Sequence, residues 1–323
     1  MTRIAVIGAG IAGLAAARDL AARGYACTVF EKSRGLGGRM ATRRAGPLRF
    51  DHGAQYFTAR GPSLQARARE WQTLGAAAEW APGRLVGCPD MTAPAHALAR
   101  GLTIHRECRI TQLIPTADGW RLQADPAPSP ADLEAAFAAV LLAIPAPQAA
   151  DLSRPSGVEL PALDAVRYAP TITLMAAFDR PLSGIGEALE PESGPLAWIA
   201  RNHTKPGRAA RPETVVAHAG SEWSRAHIES DPETLVAPLT QALRPYVGEA
   251  EPVHRQVHRW LYARVEQAAD QPCLWDADRR LGACGDWALG ARVEAAFDSG
   301  ESLAAAVAAS LPVVPTPHPR GIP

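Results

Sequence analysis

Ile4-Ala5-Val6-Ile7-Gly8-Ala9-Gly10-Ile11-Ala12-Gly13 is the stretch on which the fold turns. Ile4–Ile7 is a short apolar run with β-branched residues, bounded by Gly8, and reads as a buried parallel strand. Ile11–Arg23 is rich in Ala and Leu, with Leu14, Ala17 and Leu20 at helical spacing and Gly24 as terminator. Cys27–Phe30 reads as a second strand, which completes a βαβ unit. Each glycine has a task. Gly8 permits the tight turn, Gly10 lets backbone approach a pyrophosphate, and Gly13 lets helix and strand pack closely. The helix N-terminus offers free N–H groups and partial positive charge to the phosphates. Glu31 ends the second strand, 18 residues after Gly13, where a carboxylate accepts hydrogen bonds from a ribose diol. The alternative is a tight turn with no ligand; strand, helix and acidic partner together favour dinucleotide binding.

Which dinucleotide is decided just downstream. In Arg34-Gly35-Leu36-Gly37-Gly38-Arg39, the pair Gly37 and Gly38 allows a sharp turn beside the cofactor and Arg39 reaches its phosphates. Lys32 is grouped with these cofactor-binding residues. The competing reading is a flexible loop with two surface arginines. An NAD-binding unit needs no second glycine turn here, whereas the longer FAD does. The far end supplies a matching piece: Gly285-Asp286-Trp287, then Arg292-Val293-Glu294. A strand, Leu281–Cys284, precedes Asp286, which is placed to bond a ribityl hydroxyl or else to cap a turn. A final helix over Glu294–Leu311 points its N-terminus at the flavin N1–O2 edge.

Composition narrows the field. Of 323 residues, 47% are hydrophobic and 20% charged, so a folded globular chain is expected. Lys+Arg and Asp+Glu both number 33, and zero net charge argues against a nucleic-acid or anionic-membrane partner. The only lysines are Lys32 and Lys205, so the basic charge is almost all arginine. This gives many forked donors, or simply reflects a GC-rich genome. Five scattered cysteines with no C-x-x-C argue against a disulfide framework or zinc site and fit a reducing, cytoplasmic setting. The N-terminal apolar run resembles a signal peptide, but Arg18, Asp19 and the glycine pattern favour strand–turn–helix. No run of about 18 apolar residues suggests a membrane span.

Further strands are expected at Leu102–Ile114, Trp120–Gln123, Val140–Ile144, Thr171–Phe178 and Thr214–Ala219, and a helix at Leu235–Leu243. Ala124–Pro130 reads as a loop. Nucleotide signals at both ends, with a different, mixed sheet between, imply a discontinuous FAD-binding domain (1–60, 99–150 and 276–313). A substrate domain (61–98 and 151–275) is inserted into it, and a Pro-rich, mobile tail (314–323) follows. The expected fold is therefore α/β: a Rossmann-like domain with an inserted α+β domain.

These motifs together resemble the FAD-binding superfamily of monoamine oxidases and phytoene desaturases, and within it the bacterial renalase-like proteins. The narrower resemblance is carried by Phe50-Asp51-His52-Gly53-Ala54-Gln55-Tyr56-Phe57-Thr58 and Pro195–Asn202 with Lys205-Pro206-Gly207. Trp223-Ser224, His258–Arg264 and Gly285-Asp286-Trp287 add to it. It implies FAD contacts at Ala12, Glu31, Arg39, Gln55, Tyr56, Asp286 and Val293, with the Ile110 backbone at the adenine. Two departures stand out: the stretch between Trp80 and Val86 is short, and Val265 stands where a proline is expected. Read from residue type alone, Trp198, Trp223 and Trp260 suit a core, His218 and His258 a structural role, and Arg201, Lys205 and Arg208 a solvated cluster. Read functionally, Asn202, His218, Trp223 and Trp260 line a substrate site, and the basic cluster binds the phosphates of a nucleotide-sized substrate.

The activity implied by the resemblance is oxidation of 2- or 6-dihydro isomers of NAD(P), with non-covalently bound FAD taking the hydride and O2 reoxidising it to give hydrogen peroxide. A dihydropyridine becomes aromatic on losing hydride, so no side-chain catalyst is needed, and no Ser-His-Asp or Cys-His arrangement is evident. The alternatives are an amine oxidase of the same superfamily and a non-catalytic FAD-binding protein.

Overall fold

The computed structural model describes residues 1–126, 133 and 135–314. The chain divides into two compact units. The Pro-rich tail beyond Val314 and most of the loop expected at Ala124–Pro130 lie outside the described residues.

The first unit comprises residues 1–38, 98–166 and 268–323. Its six-stranded sheet runs in the order Leu274–Asp276, Leu281–Ala283, Ala139–Leu142, Arg3–Ile7, Ala26–Phe30, Thr103–His105. All neighbours are parallel except the edge pair formed by Leu274–Asp276 with Leu281–Ala283. Parallel strands covered on both faces must be apolar throughout, and Ile4, Val6, Val29, Val140 and Leu141 are fully buried. Helix Ile11–Ala22 returns from the first strand, and helix Val293–Ser310 lies against it. A Cβ at Gly300 would lie 2.2 Å from the Ala12 carbonyl oxygen, so the close crossing of the two helices requires glycine there. The single strand expected over Leu102–Ile114 is two, Thr103–His105 and Arg109–Thr116. Between them Glu107 adopts a left-handed φ of 54°, which no strand continues through.

The second unit comprises residues 39–97 and 167–267. Residues 39–60, placed with the FAD-binding domain on sequence, cluster here instead. The hairpin Thr42–Ala45/Leu48–Asp51 sets Phe50 against Met175, Ala177 and Val216. The five-stranded sheet runs Ala188–Leu189, Leu196–Arg201, Glu213–Ala219, Arg167–Phe178, His254–Gln267. A mixed sheet was expected; each of these pairs is antiparallel. The central strand alternates strictly. Ile172, Leu174, Ala176 and Phe178 face one way, onto Leu235, Leu239 and Leu243 of helix Pro232–Val247. Thr171, Thr173, Met175 and Ala177 face the other way.

Candidate functional site

The first unit builds its site from backbone. Gly8 sits at φ +104°, and a Cβ there would lie 2.5 Å from the Ala143 carbonyl oxygen. A Cβ at Gly13 would lie 2.1 Å from the Gly8 carbonyl oxygen. Gly10 is different: a Cβ there would meet nothing within 4 Å. The first two glycines close the turn; the third leaves the helix N-terminus open to a ligand. No side chain caps that N-terminus, and no acid lies in its first turn, so its N–H groups suit a diphosphate. The second glycine turn docks on the first through Gly37 N–H donating to Ala9 O at 2.9 Å, with Gly38 at φ +56° against Gly10.

Glu31 does more than await a ribose. Its carboxylate accepts from Ala9 N–H at 2.8 Å and Ser33 N–H at 2.7 Å, tying the two loops together. Its backbone accepts from Cys108 N–H at 3.0 Å, two residues before the buried Ile110. Lys32 is exposed and donates to Gln148 at 3.3 Å. At the far end, Gly285 N–H donates to Ser299 Oγ at 3.1 Å and Asp286 opens a four-residue helix. Val293 is the first residue of the terminal helix, where no side chain caps the N-terminus. An uncapped N-terminus beside a glycine cradle, with buried acids at both ends, fits the diphosphate, ribose and isoalloxazine ring of FAD.

The second unit builds with side chains. Asp51 is wholly buried, with Lys205 Nζ at 3.3 Å and Arg208 Nη2 at 2.6 Å on one oxygen. The other oxygen accepts from Thr42 Oγ1 at 2.7 Å and Met91 N–H at 3.1 Å. Burial alone would raise the Asp51 carboxyl; Lys205, Arg208 and the Thr42 hydroxyl outweigh it and hold the pKa at about 2. Burial pulls the Lys205 ammonium below its ordinary range, opposed by Asp51. Lys205 also donates to Gln55 Oε1 at 3.1 Å and lies 5.4 Å from the Trp80 ring centre. Arg201 pairs with Glu213 at 2.9 Å. The basic cluster is therefore neither solvated nor available to substrate phosphates: Lys205 and Arg208 neutralise a buried carboxylate, and Arg201 pairs with a second. Sequence reasoning missed Asp51 because its partners lie more than 150 residues away.

On the face of the sheet opposite helix Pro232–Val247, Trp198 pairs with His218, His218 with Thr173, and Thr173 with His258. These four side chains form one row. Gln55 binds Lys205 through its oxygen, so its amide nitrogen faces Asp51 O, Gly53 O and, at 3.3 Å, His218 Nε2. His218 is held neutral: burial, then Lys205, pull its pKa to about 4. Burial and the adjacent Arg43 likewise pull His258 to about 4. His52 falls to about 3 through burial, His258 and Arg43. Trp260 packs tilted against His52 and edge-on against His258, and donates to His52 O at 2.9 Å.

The short stretch after Trp80 is a hairpin, Ala77–Ala81/Arg84–Gly87, turning at Gly83. It sets the Arg84 guanidinium 4.8 Å over the Tyr56 ring and 5.6 Å over the Trp198 ring. Two expected substrate residues fall elsewhere. Asn202 is fully buried and clamps the hairpin, accepting from Asp51 N–H at 3.3 Å and donating to Arg49 O at 3.1 Å. Trp223 lies on helix Ser221–His227, stacked on His227 and packed with the apolar cluster on the opposite face. Neither lies on a strand of the sheet: Asn202 opens the short helical turn Asn202–Thr204, and Trp223 sits on helix Ser221–His227. Arg39 donates to Tyr262 O and Ala263 O, each at 3.2 Å.

A dinucleotide cradle built from both ends of the chain defines an FAD-dependent oxidoreductase. The chain belongs to the flavin containing amine oxidoreductase family, whose model matches residues 81–308. An NAD(P)-binding Rossmann-like domain matches residues 6–71. The chain is similar to 4,4'-diapophytoene desaturases (4,4'-diaponeurosporene-forming). It is 52% identical over 50 residues to that of Staphylococcus haemolyticus and 49% over 51 residues to that of Staphylococcus aureus (strain Newman). Each match covers 16% of this chain but only 10% of the relative's length. In fold it is similar to a putative protoporphyrinogen oxidase from Exiguobacterium sp. 255-15, with TM-score 0.75 and 15% identity over 95% of this chain and 98% of that one. A redesigned putrescine oxidase gives 0.67 and 15% over 95% and 99%. Among the described residues no helix is long and apolar enough to cross a membrane.

Proposed function

We propose that the protein oxidises dihydronicotinamide isomers, the 2- or 6-dihydro forms of NAD(P), with O2 as final acceptor and hydrogen peroxide as product. Bound FAD supplies hydride acceptance from the dihydropyridine ring and its own reoxidation by O2. The cradle residues hold it: Gly8, Gly10, Ala12, Gly13, Glu31, Gly37, Gly38, Ile110, Gly285, Asp286 and Val293.

The observation that carries this reading is the make-up of the row Trp198–His218–Thr173–His258: an indole, two imidazoles and a hydroxyl, with no carboxylate or ammonium among them. Both histidines are neutral at pH 7, and the nearby carboxylate of Asp51 is fully paired. Such a face suits a flat, uncharged ring and needs no side-chain base, because aromatisation drives hydride loss. It suits a polyamine less well: a second cation at the Tyr56–Trp198 pair would meet Arg84 already there. The residues' task is to position the ring and exclude water.

The test is anaerobic mixing of the flavin-loaded protein with each isomer, with ordinary 4-dihydro NADH and with putrescine, while flavin absorbance is followed. The 2- or 6-dihydro isomer should bleach the flavin at least about 10²-fold faster than NADH, because a 1 Å misplacement of the donor carbon has that effect. Bleaching by putrescine alone would install the amine-oxidase reading instead. Bleaching by none, with no peroxide in air, would leave a non-catalytic flavoprotein.

A further inference from the structure

Arg84, on the hairpin Ala77–Ala81/Arg84–Gly87, is held in place yet given no counter-ion. Backbone pairing sets its position. Phe57 and Leu85 exchange N–H···O bonds of 2.7 and 2.8 Å, so Tyr56 and Arg84 stand on one side of that bridge as diagonal neighbours. The guanidinium carbon lies 4.8 Å from the centre of the Tyr56 ring and 5.6 Å from that of Trp198. The hairpin's own acid, Glu79, turns away to accept from Gly83 N–H at 2.8 Å. Among the described residues Arg84 donates to no carboxylate and no carbonyl, and none of its nitrogens is sealed from solvent. Its basic neighbours are engaged. Lys205 and Arg208 neutralise Asp51, and Arg201 pairs with Glu213. Arg43, at the other end of the row, meets His258 Nδ1 at 3.2 Å, and its Nε is buried.

An arginine side chain donates and never accepts, and it stays charged. Aromatic rings attract the face of a guanidinium, whereas its N–H groups lie in the plane and remain available at the edge. Contact with two rings also restrains a long side chain, so less freedom is left to lose when a ligand arrives. A fork held in this way matches two oxygens of a phosphate or a carboxylate. The nucleotide proposed above as substrate carries phosphate and no carboxylate.

Resting on that function, we propose that Arg84 is the residue that binds substrate phosphate. The role that Arg201, Lys205 and Arg208 are too engaged to fill falls to a cation sixteen residues or fewer from none of them in sequence, brought to the Trp198 end of the row by its hairpin. Arg84 carries no chemistry; it selects nicotinamide compounds that bear a phosphate over those that do not.

The experiment compares flavin-loaded wild type, Arg84→Met and Arg84→Lys in steady-state kinetics, with the preferred ring isomer supplied as its NAD form, its NADP form and its phosphate-free riboside. Methionine keeps a long side chain against the two rings and removes the charge and every donor. Arg84→Met should raise KM for the phosphate-bearing substrate by about 10–100-fold, the worth of a charge-assisted hydrogen bond, and should shift KM for the riboside by no more than about twofold. Arg84→Lys keeps the charge without the fork and should fall between the two. A rise for both dinucleotides assigns the diphosphate; a rise for the NADP form alone assigns its 2′-phosphate. An unchanged KM for both dinucleotides, or an equal rise for the riboside, makes Arg84 a packing residue and overturns the inference alone. A wild-type protein that none of the isomers reduces overturns the functional reading, and calorimetric titration of the flavin-loaded proteins with inorganic pyrophosphate then decides the site separately. Binding at least about tenfold tighter in wild type than in Arg84→Met upholds an anion site at Arg84; equal binding removes it.

Discussion

The two units are built in opposite ways. The first uses glycines, helix ends and main-chain N–H groups; Glu31 secures its loops rather than standing alone. The second uses side chains that must first satisfy one another: Asp51 with Lys205 and Arg208, Gln55 with His218, Trp260 with His52. A backbone site carries fixed partial charges that do not titrate. A side-chain site carries ionisable groups whose states depend on burial and pairing. The first kind gives a steady grip on a cofactor needed at every turnover; the second gives shape and charge selectivity, at the risk of buried charge.

The largest effect expected from this contrast is at Asp51. Asp51→Asn leaves Lys205 and Arg208 buried without a counter-charge, and breaking a buried pair by removing one partner costs about 3–5 kcal/mol. Denaturant unfolding of the variant measures it. A loss under about 1 kcal/mol, the range of a surface pair, would mean that water reaches the cluster and that the second unit is less dry than its burial indicates.

Acid should act on the second unit first. His52, His218 and His258 have folded pKa values of about 3, 4 and 4, below the ordinary 6.5. Between about 4 and 6.5 the unfolded chain binds protons that the folded chain does not. Stability is therefore complete above 6.5 and falls as pH drops toward 4, by at most about 1.4 kcal/mol per pH unit for each histidine. Asp51, with its folded pKa near 2, adds a further loss only below its unfolded value of 3.8. Urea midpoints at pH 7, 6, 5 and 4.5 trace the curve. A flat profile would mean that these imidazoles titrate at their ordinary value in the fold and that burial does not shield them.

Within the first unit, two glycines separate packing from ligand approach. Gly13→Ala drives a Cβ against the Gly8 carbonyl and should cost about 1–3 kcal/mol of stability as overpacking. Gly10 has an ordinary φ of −73° and open space at its Cβ, so Gly10→Ala should fold normally. It should nonetheless bind FAD at least about tenfold more weakly, since the methyl stands where the diphosphate approaches. Unfolding curves and flavin titration of the two variants read this directly. Equal FAD affinity in Gly10→Ala and wild type would move the diphosphate away from this turn.

The contrast also explains what the sequence could convey. The cradle was legible because its logic is local: Gly8, Gly10 and Gly13 lie within six residues, and Glu31 ends the next strand. The alternating strand at Thr171–Phe178 was legible for the same reason, its two faces differing in every second residue. The Asp51 cluster was not, because a carboxylate and the cations that neutralise it meet only through tertiary packing. Arg201, Lys205 and Arg208 looked like one basic patch, yet they serve two separate acids.

The smallest effect is expected at Trp223, and it tests which face of the sheet matters. The residue belongs to a motif that suggested substrate contact, but its indole stacks on His227 with a centroid distance of 4.1 Å and joins the apolar cluster formed with helix Pro232–Val247. Trp198 and Trp260 lie on the other face, with the neutral histidines. Trp223→Phe keeps an aromatic ring in the same contact and removes part of its area, so stability should fall by about 1 kcal/mol or less. Because the change is confined to the apolar face, KM and kcat for the preferred isomer should stay within about twofold. A tenfold loss of kcat/KM in Trp223→Phe at unchanged stability would reverse the assignment of faces. It would also withdraw the row Trp198–His218–Thr173–His258 as the substrate surface.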